Sequence, residues 1–282
     1  GDMMLGNYIG DLMQEDGFEY PFQKIEQFPR GVDLVFANLE GVISEKFFGE
    51  HFAFSPRIIG ALQRHHFTLL SLANNHAFDF GEESFEEMRE HLGAADIAAV
   101  GHPRKITEPI IREVNGQAIA LYAFNATSPD FDLAEAENAL YQSTNSFTIV
   151  SIHWGIELST QADSRQREIA HALIERGADL IIGHHPHVVQ DVELYKNKLI
   201  FYSLGNFIFD QFFLQETRES LAVSLELSSE NLTVRLFPLR GGKGQPQLMQ
   251  QRFVSQWLQE LAARSTPHLA EQMRQGTIVL TR

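Results

Sequence analysis

A chain of 282 residues, 44% of them hydrophobic, is long enough to bury one large core, and no apolar run in it approaches the roughly 20 residues of a membrane-spanning helix. Its 37 acidic residues outnumber its 22 basic ones, a net charge of −15 with no basic stripe, which disfavours nucleic acid as a partner. The absence of cysteine removes any disulfide framework and any thiolate ligand, so a metal here is held by imidazole, carboxylate and amide groups.

The start of the chain lacks the basic region and hydrophobic stretch of a signal peptide. The chain as given is expected to be soluble, and its location stays open between the cytoplasm and anchoring through a segment upstream. In chain order, apolar runs predict strands at Leu34 to Ala37, Thr68 to Ala73 and Ile97 to Val100. Between them, Pro56 to His66 carries Ile58, Ile59 and Leu62 at helical spacing. Glu82 to Leu92 opens with acids at its positive end and is expected to stop at Gly93. Asn115-Gly116 suits a tight hairpin between Ile110 to Val114 and Gln117 to Ala123. The acidic stretch Ser128 to Asn145 reads as an excursion from the core, a loop or a short helix over one edge.

Strands at Phe147 to Ile152 and Leu180 to Ile182 flank a helix at Ser164 to Arg176, with Ser164 as its N-cap and Gly177 in the left-handed position at its end. Lys196-Asn197-Lys198 joins Val188 to Tyr195 with Leu199 to Leu204, and Leu221 to Leu227 with Thr233 to Pro238 form a further antiparallel pair. Gly241 to Gly244 reads as a loose surface turn. Phe253, Trp257, Leu258 and Leu261 mark an amphipathic helix that opens a C-terminal helix and tail over 253–282. The alternation of strand and helix argues parallel strands with right-handed crossovers, the hairpins make the sheet mixed, and residues 1–282 read as one domain.

Four polar clusters each follow an apolar run: Asn38-Leu39-Glu40, Asn74-Asn75-His76, His153-Trp154-Gly155 and Gly183-His184-His185-Pro186-His187. In open α/β sheets ligands gather beyond the carboxyl ends of the strands, which is where these clusters fall. Glu40, Asn75, His153, His185 and His187 supply the nitrogen and oxygen donors that a divalent metal needs, with a coordination place left for water or substrate. In an extended segment alternate residues point the same way, so His185 and His187 face one site, Pro186 stiffens the turn between them, and His184 faces elsewhere. Each residue also has a plainer reading. Glu40 could cap the turn at Gly41, Asn74 to His76 could be a polar turn before a helix, and His153 could stack on Trp154. Beside an amide ligand, His76 would stand where a leaving group needs a proton.

The segments GDMMLG, FANLEGVIS, LSLANNHAFDFG, HWGIE, GADLIIGHHPHVVQ and YSLGNFIFDQ, in this order from Gly1 to Gln211, resemble the capsule synthesis protein CapA family, the poly-gamma-glutamate biosynthesis proteins of bacteria. That family is similar in turn to the calcineurin-like metallophosphoesterases. The resemblance implies an α/β fold, a four-layer αββα sandwich with two mixed β-sheets, and an active site for divalent metal. It makes Asp2 a ligand of a first ion, Glu40 the bridging carboxylate in place of the superfamily's usual Asp, and Asn75 a ligand of a second ion. His153 and His185 complete the second ion, His187 completes the first, and His76 is the general acid. Asp79, Glu157, Asn206 and Asp210 match family positions that support the ligands or contact substrate.

Two positions depart from that pattern. Met4 stands where the superfamily places a His, so the site holds one ion or two, and the chain opens at Gly1-Asp2 where the fold calls for an apolar strand leading in. The donor mixture suits Mn, Fe or Zn. The expected activity is metal-dependent hydrolysis of a phosphoester or γ-glutamyl bond in an anionic small-molecule or polymer substrate, since bound cations dominate the local field whatever the net charge. Arg57, Arg165 and Arg167 are candidate anion contacts. The alternatives are a non-hydrolytic accessory protein of polyanion assembly or export that keeps the pocket for binding, and a structural relic; the oligomeric state stays open.

Overall fold

Five short strands, Asn206–Ile208, Asp2–Met3, Phe36–Leu39, Leu69–Ser71 and Ala98–Val100, lie side by side in that order and all run parallel. They belong to a computed structural model that describes residues 1–25, 31–141 and 146–282, so the end of the acidic stretch Ser128 to Asn145 lies outside the described residues. A second sheet orders Val192–Tyr195, Lys198–Phe201, Leu180–His184, Phe147–His153, Gln117–Asn125 and Ile110–Val114, parallel in its middle and antiparallel at both edges. A third, antiparallel sheet pairs Asn231–Gly242 with Glu219–Leu227 on one side and with Gln245–Leu248 and Thr277–Thr281 on the other.

The period-2 alternation of the strands builds the layers. Leu69 faces a core shared with Leu121, Ile149, Leu180 and Ile182 of the second sheet, while its neighbour Leu70 faces the other way, toward Ile9, Leu62, Phe85 and Met88 of helices Asn7–Asp16, Ile58–Arg64 and Gly81–Ala94. In the second sheet Val150, Ile152 and Ile181 turn outward onto Ile169, Leu173 and Leu140 of helices Ser164–Glu175 and Leu133–Tyr141. Strands buried on both faces need the continuous apolar runs that the sequence supplies. The result is the expected αββα sandwich, with the third sheet and the helix Gln251–Arg264 joined to the central core through Leu221, Val234, Trp257 and Leu261.

Several details differ from the sequence reading. The first sheet contains no antiparallel pair among the described residues, and Asp2–Met3 is a two-residue strand held on both sides. The N-cap of the helix Ser164–Glu175 is Asp163, one residue early, because its carboxylate accepts from Gln166 N at 2.8 Å while Gln166 Oε1 accepts from Asp163 N at 3.0 Å. Gly93 lies inside its helix, and the left-handed residue that follows is Asp96, φ +57°. Gly241 and Gly242 are strand rather than loose turn, paired with Pro246 and Gln245. The segment beyond the C-terminal helix ends in the strand Thr277–Thr281.

Gly183 shows how tightly the strand ends close. A Cβ there would stand 1.9 Å from Tyr202 O and 2.5 Å from Trp154 Nε1, and those two atoms are themselves hydrogen-bonded at 2.8 Å. Gly183→Ala must therefore displace a backbone carbonyl next to His184. The expected cost is about 2–3 kcal/mol, which thermal unfolding would register as a Tm lower by about 4–12 °C; an unchanged Tm would show that this strand end is not close-packed.

Candidate metal centre

The strands Asp2–Met3, Phe36–Leu39, Phe147–His153 and Leu180–His184 all end toward one place, and the polar clusters of the sequence meet there. Asp2 is buried within the sheet, its Oδ1 accepting from Asn38 Nδ2 at 2.9 Å and its Oδ2 from His185 N at 3.2 Å. Burial alone would raise its pKa. The close contact of the His184 ring more than offsets this, and with His153 and His187 nearby it holds Asp2 ionised, below the ordinary carboxylate range.

Glu40 is equally buried, but neither of its oxygens has a hydrogen-bond partner among the described residues, and His187 Nε2 stands 3.8 Å from Oε1. This rules out the turn-capping reading. Burial, reinforced by the charges of Asp2, Glu157 and Asp79, pushes its pKa well above the ordinary value. An ionised carboxylate in this position costs several kcal/mol unless a cation meets it, on the order of the penalty for any uncompensated buried charge.

The imidazoles surround these acids. His153 Nε2 lies 2.7 Å from Asn75 Oδ1 and its ring centroid 4.7 Å from that of His185; the His185 and His187 centroids are 5.9 Å apart. Burial, then the neighbouring charges of His185 on His153 and of His187 on His185, lowers both pKa values and favours neutral rings, the ligating form. His187 Nδ1 is engaged by Asn206 Oδ1 at 2.9 Å, which leaves Nε2 toward Glu40. Donor atoms of Asp2, Glu40 and His153 lie within 4.8 Å of one another, as do those of Glu157, His185 and His187. With its orphaned carboxylate and the unpartnered His185 Nδ1, this donor set fits a divalent cation.

Other candidates sit around this cluster. His76 Nδ1 pairs with Asp79 Oδ2 at 2.8 Å, and the ring stacks on Phe52 at 3.4 Å and 6°. Asp210 stands outside the donor set: burial raises its pKa and its side chain bonds with Asn7. Of the candidate anion contacts, Arg167 is taken up by Asp191 at 2.6 Å and Glu193 at 3.0 Å, so it is not free to bind substrate. Arg57 lies over the Phe18 ring and Arg165 is exposed on its helix.

Residues 1–211 match the family model described as "Bacterial capsule synthesis protein PGA_cap". The chain belongs to that family. It is similar to a PGA biosynthesis protein CapA of Bacillus subtilis (strain 168), 31% identical over 80% of this chain and 66% of that one. It is also similar to a capsule biosynthesis protein CapA of Bacillus anthracis, 28% identical over 87% and 67%. The chain thus spans about two thirds of the length of these relatives. The crystal structure of a hypothetical protein from Thermus thermophilus shares the fold, with a TM-score of 0.52 over 82% of this chain and 91% of that one at 18% identity.

Two expectations about the histidine segment are corrected. His185 and His187 do not alternate along an extended strand: both have positive φ, +96° and +60°, so a turn after the strand end brings their rings together. Such backbone costs about 1–3 kcal/mol per residue and persists only where the surroundings over-determine it. His184 does not face away. It points into the gap between the sheets, buried, with Nδ1 3.1 Å from Asp2 Oδ1 but neither ring nitrogen in a hydrogen bond among the described residues. Asn38 and Asn74, which carry no assignment from the sequence, support the donors. Asn74 donates to Asn38 Oδ1 at 3.1 Å and to Leu39 O at 2.8 Å, while its own Oδ1 receives His76 N and Ala77 N. Met4 is buried with its sulfur accepting from Gly6 N at 3.1 Å.

The raised pKa of Glu40 gives a pH signature. A group whose folded pKa is raised contributes stability fully below its unfolded value and loses it as pH rises through the folded one. In chelator, the stability of Glu40→Gln relative to the parent should therefore increase as pH rises from 5 to 8, and added Mn²⁺ should favour the parent instead. Denaturant unfolding at both pH values checks this, and a difference independent of pH would mean that Glu40 is not desolvated.

Proposed function

We propose that the chain is a metal-dependent hydrolase of capsule or poly-γ-glutamate metabolism, acting on a phosphoester or γ-glutamyl bond of an anionic substrate. The observation that carries this reading is the buried Glu40, without a hydrogen-bond partner among the described residues, facing neutral imidazoles and the ionised Asp2. Asp2, Glu40 and His187 would hold one cation, and Glu40, Asn75, His153 and His185 a second; a single ion would be held by Asp2, Glu40 and His153, whose donor atoms lie within 4.8 Å of one another. Mn, Fe or Zn each suits such donors. A bound divalent cation supplies Lewis acidity and lowers the pKa of water toward neutrality.

The chain's own groups do the rest. Asp79 accepts from His76 Nδ1–H, so that the ring, when protonated on both nitrogens, would present its Nε2–H to a leaving group, and the face-to-face Phe52 holds the ring plane. Asn74 pins the backbone of this turn, which sets His76 relative to Asn75. Asn38 holds Asp2 Oδ1 and lies 3.4 Å from His153 Nδ1, fixing carboxylate and imidazole together. Glu157, exposed beside His185 and His187, stands where it would contact solvent or substrate.

A second reading, an accessory protein that binds the polymer without cleaving it, is favoured by Met4, whose sulfur is engaged with backbone and leaves the first cation one imidazole short. Elemental analysis together with turnover of p-nitrophenyl phosphate and poly-γ-glutamate separates the two. Hydrolysis predicts bound metal, its loss in His185→Ala, and a kcat about 10²–10⁴-fold lower in His76→Ala with metal retained. Neither bound metal nor turnover with added Mn²⁺ would remove the enzyme reading, and metal with polymer binding but no turnover would favour the accessory one.

A further inference from the structure

We propose that Arg104, with Lys105 beside it, forms an anion subsite at the rim of the metal centre, taking a second negative group of a substrate whose reacting group lies at the cluster. This inference rests on the function proposed above and names the class of substrate: a chain carrying repeated anionic groups.

The segment that presents Arg104 is fixed to both sheets. Gly101 has φ +84°, and a Cβ there would stand 2.7 Å from the Cβ atoms of both Ala73 and Ala123, so the chain is wedged between one strand end of each sheet. Ala73 directly precedes Asn74-Asn75. Two residues after Ala123, Asn125 pairs in register with His153 and donates to Pro103 O at 3.0 Å. His102 is buried against Phe78 and Phe85, at 5.6 and 4.9 Å, and its Nδ1 accepts from Arg104 N at 3.0 Å. The guanidinium of Arg104 lies 4.7 Å over the ring of Phe78, two residues beyond His76. Arg104 is thus braced between the loop that carries His76 and the strand end that carries His153.

Neither Arg104 nor Lys105 makes an ion pair among the described residues, and both are exposed. Asp130 and Glu135 line the same small cleft without pairing with either cation. In a chain with a net charge of −15, cations left unpaired beside an anion-handling site are available to a ligand. A guanidinium resting over an aromatic face loses less freedom when it takes a carboxylate or phosphate in two parallel hydrogen bonds. A γ-linked glutamate chain offers one carboxylate per residue, and a linear polyphosphate offers the same repeated charge. Arg167, which the sequence made a candidate for this role, has its charge already met by Asp191 and Glu193.

The test is equilibrium binding of a γ-linked glutamate oligomer and of a linear polyphosphate of equal charge to the Mn²⁺-loaded protein, for the parent, Arg104→Gln, Arg104→Lys and Lys105→Gln, with metal content and KM measured alongside. The parent is expected to bind one of the two, and which one identifies the repeating group. Arg104→Gln should weaken that binding by about ten- to hundredfold and raise KM more than it lowers kcat, with metal content unchanged. Arg104→Lys should recover part of the loss, and Lys105→Gln should show a smaller loss. Binding by Arg104→Gln as tight as the parent's would overturn the subsite even where turnover upholds the hydrolase. Arg104-dependent binding without turnover would uphold the subsite and remove the hydrolase, and a parent that binds neither polymer overturns the subsite.

Discussion

Two carboxylates buried at one point between two sheets set the terms for everything around them. Asp2 is kept ionised by the backbone N–H of His185, the amide of Asn38 and the imidazole of His184, while Glu40 has none of these compensations. A protein interior does not leave two acids so placed without positive charge or protonation. Much of the surrounding architecture reads as the means of bringing donors to that point. The parallel strands aim their carboxyl ends at it, the positive-φ turn at His185 and His187 folds two imidazoles back over it, and Gly183 lets Tyr202 and Trp154 close behind it.

The division of labour between neighbouring residues follows from the pleat and from hydrogen-bond capacity. In each polar cluster one residue reaches the donor set and another secures it. Asn75 meets His153 while Asn74 uses its amide and carbonyl on the backbone of both strands' ends; Glu40 enters the cluster while Asn38 ties Asp2 to Asn74. His187 presents Nε2 because Asn206 holds Nδ1. Such supporting contacts set ring orientation and tautomer, which decide whether a lone pair faces the shared point.

The sequence made the layers and the convergence legible because both depend on signals that are local and strong. Short, β-branched runs such as Ile149 to Ile152 favour strands buried on both faces, and the polar residues that end them then fall at the carboxyl end of the sheet. What it hid was whatever depends on backbone sign or on a distant partner. Strand alternation applied to His184 to His187 gave the wrong faces, because the strand stops at His184 and two left-handed residues follow. The one-residue error at Asp163 came from giving Ser164 the cap although Gln166 completes the box with Asp163. Arg167 looked available because Asp191 and Glu193 are more than twenty residues away along the chain.

Met4 and His184 together shape the surroundings of Asp2. The first strand continues from Asp2 into an apolar sulfur that accepts from Gly6 N, which suits the tight entry into the helix Asn7–Asp16 but gives the first acid no imidazole from its own strand. His184, from the facing sheet, stands 3.1 Å from that acid. It is buried beside Phe36, the ring centroids 6.2 Å apart. A partner placed there, with Asn38 on the same oxygen and His185 N on the other, fixes the orientation of Asp2. Asp2 is thus held by neighbours from both sheets, while Glu40, without a hydrogen-bond partner among the described residues, lies with its donor atoms within 4.8 Å of those of Asp2 and His153.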